Sequence, residues 1–190
     1  MTPTKNTLLS LLDTHVASDA SERDSIARVR SLIERVEAPT SRGTLEGHIT
    51  GSAVVLDNLG RALLLFHARL GLWLQPGGHV EDGESPDEGA FREAREESGL
   101  PDLVLETNTD GTTLLLDVDV HPIPEHPKRG EPAHWHHDLC YVARTQQPEA
   151  IVIDPNESRD FRWIDAQELE TTPVDGTTRR RLLKAFALKR

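Results

Sequence analysis

One cysteine and one methionine stand among 190 residues, lysine and arginine (21) fall well short of aspartate and glutamate (32), and long apolar runs are missing. Each shortage excludes something. A lone Cys140 can close no internal disulfide and has none of the paired spacing of a zinc or redox motif, so a reducing compartment fits without being required. A formal net charge of −11 argues against non-specific binding to nucleic acid polymers or anionic membranes, because both need a basic surface to neutralise phosphates. The longest near-apolar runs, 62–66 and 114–116, are far shorter than the roughly 20 residues needed to span a bilayer, and residues 8–12 lack the flanks of a signal peptide. The expectation is a cytoplasmic chain with no membrane partner. What remains, 36% hydrophobic and 28% charged residues, is an ordinary globular composition.

The length admits one domain with an appendage but not two complete domains. Residues 5–17 place Leu8, Leu11, Leu12, His15 and Val16 at helical spacing. Ser21 with Asp24 three residues on signals a second helix carrying Ile26, Val29, Leu32, Ile33 and Val36. Pro39 stops it. The expected division is an N-terminal helical extension over 1–47 and a main domain over 48–190. In the main domain, 52–56 and 62–66 flank a turn and read as a hairpin. Further strands are predicted over 72–74, 112–121, 134–143, 150–153 and 161–164, and helices over 86–98, 165–170 and 177–189. Strands with helices set between and after them indicate an α+β or α/β sandwich.

The acidic residues are unevenly placed. Glu81, Asp82, Glu84, Asp87, Glu88, Glu93, Glu96 and Glu97 crowd one stretch against only Arg92 and Arg95. Ser85, Pro86 and Glu88 make a strong helix start, and Gly99 supplies the stop. Within that helix Glu93, Glu96 and Glu97 are related by i, i+3 and i+4, so they share a face, while Ala90, Phe91 and Ala94 offer a packing side. Like charges so spaced cost a helix roughly 0.2 to 0.5 kcal/mol per pair, which a divalent cation among them would offset. Oxygen-only donors suit Mg2+ or Mn2+ rather than Zn2+. A solvated acidic face screened by its arginines would show the same local pattern.

The wider segment, GHVEDGESPDEGAFREAREESGL over 78–100, meets every specified position of the Nudix box GX5EX7REUXEEXGU, with Ala94 and Leu100 at the apolar positions. Seven fixed residues at background frequency, with two apolar positions, give a chance match on the order of 10⁻⁷ for a chain of this length. The sequence therefore resembles the Nudix hydrolase family, most clearly in the box and more loosely from about Ile49 to Ile164. The resemblance implies a metal-dependent pyrophosphohydrolase of the α+β class, an α/β/α sandwich with a mixed β-sheet between helices behind the N-terminal helical extension. It assigns Glu93, Glu96 and Glu97 as metal ligands, joined by the backbone carbonyl of Gly78, with Glu84 supporting the helix entrance and Arg92 orienting a glutamate. The catalytic base varies within the family. Glu96 and Glu97 are candidates in the helix, and Glu157, in a loop before the last strand, is a candidate outside it.

Asp117, Asp119 and His121 alternate along one predicted strand, and His134, His136 and Asp138 along the next, so pairing would bring the two faces together. Lys128 and Arg129 lie in the connection. His134, His136, Lys128 and Arg129 read as a substrate-binding set for a phosphate or sugar, or the histidines as a second metal site; solvated strand faces are the plainer reading. Trp135, Trp163 and Tyr141 could stack on a nucleobase, but single aromatics in strands are more often core. Arg179, Arg180 and Arg181 read as the solvated side of a terminal helix whose apolar side holds Leu182, Leu183 and Phe186. The expected partner is a small phosphorylated molecule, a nucleotide derivative. The leading expectation is cleavage of a nucleoside diphosphate linked to another group. Two alternatives stay open: a pyrophosphatase cleansing non-standard nucleoside triphosphates, and a non-catalytic nucleotide sensor of the same fold. The N-terminal helices suit homodimerisation or packing on the parent domain equally well.

Overall fold

The computed structural model describes residues 4–125, 130 and 132–188. Helices α1 (Lys5–Thr14) and α2 (Ala20–Arg35) lead into β1 (His48–Leu56), β2 (Ala62–His67), β3 (Trp73–Leu74) and β4 (Gly77–His79). Helix α3 (Pro86–Ser98) follows, then β5 (Val104–Leu105), β6 (Leu115–Ile123), β7 (His134–Arg144), β8 (Ser158–Ile164) and α4 (Gly176–Ala187). The strands form one mixed sheet whose central path runs β3-β2-β1-β7-β5, with β4 beside β1, β6 beside β7 and β8 beside β2. Only β1 and β7 run parallel among these pairs, in register from His48↔His136 to Leu56↔Arg144. All nine residues of β1 are buried, as expected of a central strand covered on both faces.

Period-two alternation sorts β1 cleanly. Ala53 and Val55, with Leu63 and Leu65, pack beneath Ala94 and Leu100 of the α3 region. Ile49 joins Leu8, Leu12, Val29, Leu32 and Ile33 of the first two helices, together with Leu139 and Tyr141. Val54 and Leu56 face the other way, against Leu182 and Ala185 of α4. The molecule is thus the expected α+β sandwich, with α1, α2 and α3 on one face of the sheet and α4 on the other. The apolar faces of α1 and α2 are used in packing on the parent domain.

Several elements differ from expectation. Helix α2 is capped by Asp19, whose carboxylate accepts from the Glu22 amide at 2.8 Å, so it begins ahead of Ser21. The strand expected over 112–121 starts at Leu115 and runs to Ile123, because the residues before it close a turn through a Thr107↔Thr113 bridge. Residues 150–153 form no strand: the Val152 amide donates to the Ser98 carbonyl at 2.8 Å, tying the segment across the end of α3. The helix expected over 165–170 is a single 3-10 turn at Glu168–Glu170.

Helix α4 overturns the solvated reading of its arginines. Arg181 is 3% exposed and pairs with Asp117 and Asp138 at 3.2 and 2.9 Å, whereas Leu183 is 50% exposed. Arg180 forks onto the two oxygens of Asp117 at 2.8 and 2.9 Å, and Lys184 bridges Asp117 and Glu22 at 3.1 and 2.6 Å. Arg179 donates to the Leu169 carbonyl at 2.9 Å. Helical periodicity could not reveal these carboxylates, which come from β6, β7 and α2.

Candidate active site

Helix α3 starts as its sequence prescribes. The Ser85 amide donates to the Glu88 carboxylate at 2.7 Å, and Gly99 closes the far end in the left-handed region. The helix sits close on the sheet because Gly51 has no side chain: a Cβ there would stand 2.3 Å from the Pro86 carbonyl oxygen. Gly78 serves likewise on the neighbouring strand. A Cβ at Gly78 would lie 2.6 Å from the Glu93 carboxyl carbon, so only glycine lets that carboxylate lie against the β4 backbone.

Arg92 organises the acidic face. Its Nε and Nη2 donate to the two oxygens of Glu84 at 2.9 and 3.2 Å, its Nη2 also donates to the His79 carbonyl at 2.8 Å, and its Nη1 donates to Glu93 and Glu96 at 3.0 and 3.1 Å. Glu84 is held below its usual carboxylate range chiefly by the Arg92 hydrogen bond. This is the planar, forked geometry that an arginine supplies and a lysine does not.

The carboxylates toward the sheet are differently placed. Burial raises Glu93, an effect that Arg92 opposes and that Glu96 and Glu157 reinforce. Glu97 is pushed up to about 8 by burial, with the Gly77 amide opposing and Glu93, Glu157 and Asp154 adding to the rise. The Gly77 amide donates to Glu97 at 3.0 Å. Glu96 stands at the rim, its side chain 61% exposed.

Glu157 is exposed on the turn before β8, where its carbonyl accepts from the Ala68 amide at 2.8 Å. The structure brings it within electrostatic reach of Glu93 and Glu97. It also brings in Asp154, which sequence reasoning passed over. The available signal was the Asp-Pro-Asn turn, where the Asp154 carboxylate accepts from the Asn156 amide at 2.8 Å.

The histidine strands pair as anticipated, with Asp119↔Asp138 and His121↔His136 in register. Their side chains lie on the sheet face opposite α3, so His134 and His136 are not gathered with the glutamates. They meet instead His48, the first residue of β1, and His79, the last of β4; the His48 ring lies 5.0 to 5.1 Å from those of His79, His134 and His136. Burial, with neighbouring rings adding, lowers His136 to about 2, and burial likewise lowers His48 to about 4. Lys128 and Arg129 lie outside the described residues. Trp135 is 39% exposed and carries the Arg28 guanidinium 4.2 Å above its ring, while Tyr141 is core. An open groove of about 740 Å³ beside α2 is lined by Arg28, Arg35, His134, Trp135 and His137, away from the glutamates.

A glutamate face built on a strand–loop–helix of this form, in a mixed sheet between helices, defines a class. The NUDIX domain family model matches residues 47–186, and the chain belongs to the Nudix hydrolase family. Uncharacterized Nudix hydrolase YvcI of Bacillus subtilis (strain 168) is 46% identical over 120 residues, which cover 63% of this chain and 68% of YvcI. The m7GpppN-mRNA hydrolase NUDT17 of Homo sapiens is 30% identical over 162 residues, 78% of this chain and 47% of NUDT17, so the chain spans about half of that relative. The crystal structure of the MutT protein from Methanosarcina mazei Go1 shares the fold, with a TM-score of 0.58 at 17% identity over 75% of this chain and 94% of that one. Among the described residues no helix is long and apolar enough to cross a membrane.

Proposed function

We propose that the protein hydrolyses a pyrophosphate bond in a nucleoside diphosphate linked to another group, using Mg2+ or Mn2+ held by Glu93, Glu96, Glu97 and the Gly78 carbonyl. The observation that carries this reading is the arrangement around Glu97. It is a half-buried carboxylate with one backbone donor, beside Glu93, Glu157 and Asp154, and the nearby cation, Arg92, is already engaged by Glu84, Glu93 and Glu96. Such a donor set is short of positive charge and consists of oxygen alone, which fits a hard divalent ion. When bound, that ion supplies neutralisation of the pyrophosphate oxygens and a lowered pKa for an attacking water.

The chain's own residues do the positioning. Arg92 locks Glu93 and Glu96 in orientation, and the Gly77 amide fixes Glu97. Glu157 is proposed as the group that accepts the water's proton: it borders the set from a different loop and is solvent-exposed, so it need not itself be a ligand. A relative named for hydrolysing m7GpppN-mRNA supports a substrate whose phosphates join a nucleoside to a second group, while the net charge of −11 speaks for a small molecule rather than a polymer.

The test is product analysis with Mg2+ or Mn2+ over nucleoside triphosphates, nucleotide sugars, dinucleotides and dinucleoside polyphosphates. The wild type is expected to cleave the diphosphate-linked compounds, and Glu97→Gln to lose at least about 10²-fold in kcat. Binding without turnover by the wild type, or full turnover by Glu97→Gln, would sink the proposal. Glu157→Gln is expected to lower kcat while leaving Mn2+ affinity in place; if affinity falls instead, Glu157 is a ligand rather than the base.

A further inference from the structure

We infer that His48, His134 and His136 form a binding site for a nitrogen-preferring transition-metal ion, Zn2+ being the best fit, on the face of the sheet opposite the α3 carboxylates. This goes beyond the proposed hydrolysis, which needs only the oxygen donors of the other face. The site follows from register. His134 and His136 are two apart on β7 and so share a face, and the parallel pairing of β1 with β7 places His48 directly beside His136. One ring nitrogen from each of the three lies within 4.8 Å of the others. A tetrahedral ion with bonds of about 2.0–2.1 Å holds its donors about 3.4 Å apart, so small ring rotations close the site.

Hydrogen bonding independently points to a ligand. His48 is 2% exposed, yet neither of its ring nitrogens has a hydrogen-bond partner. The Thr44 backbone comes near enough to influence the ring without reaching hydrogen-bond geometry. Nε2 of His134 and Nε2 of His136 are likewise buried and unpartnered. Folded proteins seldom leave buried polar atoms bare, and several bare imidazole nitrogens facing one another call for a shared partner. A metal cation, which accepts a lone pair from each ring nitrogen, satisfies them together; a proton on each would set three like charges together.

The donors are also prepared for coordination. The Nδ1 of His134 lies 2.8 Å from the Pro132 carbonyl, so its N–H donates there and Nε2 keeps the lone pair. That is the backbone support characteristic of metal-bound histidine. Imidazole donors without a carboxylate in the trio select Zn2+, Co2+, Ni2+ or Cu2+ over Mg2+. Three protein donors leave a fourth position for water or an anion.

The experiment is a Zn2+ titration of the metal-stripped full-length protein against a chromophoric chelator, in excess Mg2+ to occupy the carboxylates, with X-ray absorption on the Zn2+-loaded sample. One tight equivalent is expected, with imidazole scattering from three nitrogens. It should be retained in the Glu93→Gln/Glu97→Gln double variant and weakened at least about tenfold in His134→Ala or His136→Ala. Absence of a tight equivalent, oxygen-dominated scattering, or loss in the glutamate variant with retention in the histidine variants each overturns the inference. If the histidine variants fail to fold, the wild-type scattering decides alone. Failure here leaves Mg2+-dependent hydrolysis standing, and failure of hydrolysis leaves this site standing.

Discussion

Two regions of this molecule crowd carboxylates together, and they are treated in opposite ways. Between β6, β7, α2 and α4, Glu22, Asp117 and Asp138 are buried and meet Arg180, Arg181 and Lys184 at ion-pair distance. On and just before α3, Arg92 serves Glu84, Glu93 and Glu96, while Glu97, with Glu157 and Asp154 nearby, has only the Gly77 amide. The first region supplies its own counter-charge and ties the N-terminal helices to the C-terminal one through the sheet. The second is left deficient. The acidities differ accordingly: burial alone would raise Glu22, but His15, Lys184 and Ser18 outweigh it and hold it well below the usual carboxylate range, whereas burial pushes Glu97 up to about 8. Asp119, beside the balanced region, is likewise held down to about 2 by His121, Arg181 and Thr177 against the effect of burial. The cluster that ties the fold together is neutralised from within; the one proposed to hold a cation is not.

The comparison can be broken most decisively at Asp117. Asp117→Asn leaves Arg180, Arg181 and Lys184 around a buried site without its charge, and it is expected to cost about 3–5 kcal/mol in urea unfolding. A loss under 1 kcal/mol would show that the network is incidental.

Next in size is Glu22→Gln, expected to cost about 2 kcal/mol at pH 7 through lost charge-assisted hydrogen bonds. Because the folded value of Glu22 is depressed, its stabilisation is complete above the ordinary carboxylate value near 4.5 and drains away as pH falls below it. The gap between wild type and variant in a pH series of unfolding curves should therefore close on acidification. A gap that stayed constant down to pH 3 would contradict the assignment.

The smallest effect carries the opposite sign. In EDTA, Glu97→Gln is expected to stabilise the fold on the order of 1 kcal/mol at pH 8. The folded value of Glu97 lies above the unfolded one, so its penalty grows as pH rises from about 4.5 toward 8 and is absent below that window. Melting temperatures at pH 5 and pH 8 would show the gain at pH 8 alone; destabilisation there would place Glu97 in the balanced class.

The sequence made α3 legible because capping, glutamate spacing and the glycine stop are all local, and the helix spans Pro86–Ser98 as read. The sandwich was legible through strand and helix periods. What stayed hidden depends on distant partners. Arg181 looked solvent-facing because its acids come from other elements, and His48 carried no signal because its neighbours on β7 stand 86 and 88 residues away. Strand β4 was missed for a different reason: Gly77 and Gly78 have no strand propensity, and their pairing with Ser52 and Gly51 is imposed by β1. The apolar run over 150–153 misled, since a local pattern cannot show that the Val152 amide is already taken by the end of α3.

Three residues of backbone join the two faces. In β4, Gly78 turns toward Glu93 while its neighbour His79 turns to the histidine rings on the other side, and a shift of one residue exchanges the faces of a strand. A substitution touches one face at a time, but an insertion or deletion within β4 strikes both together. The register of β4 is therefore one constraint that both faces share.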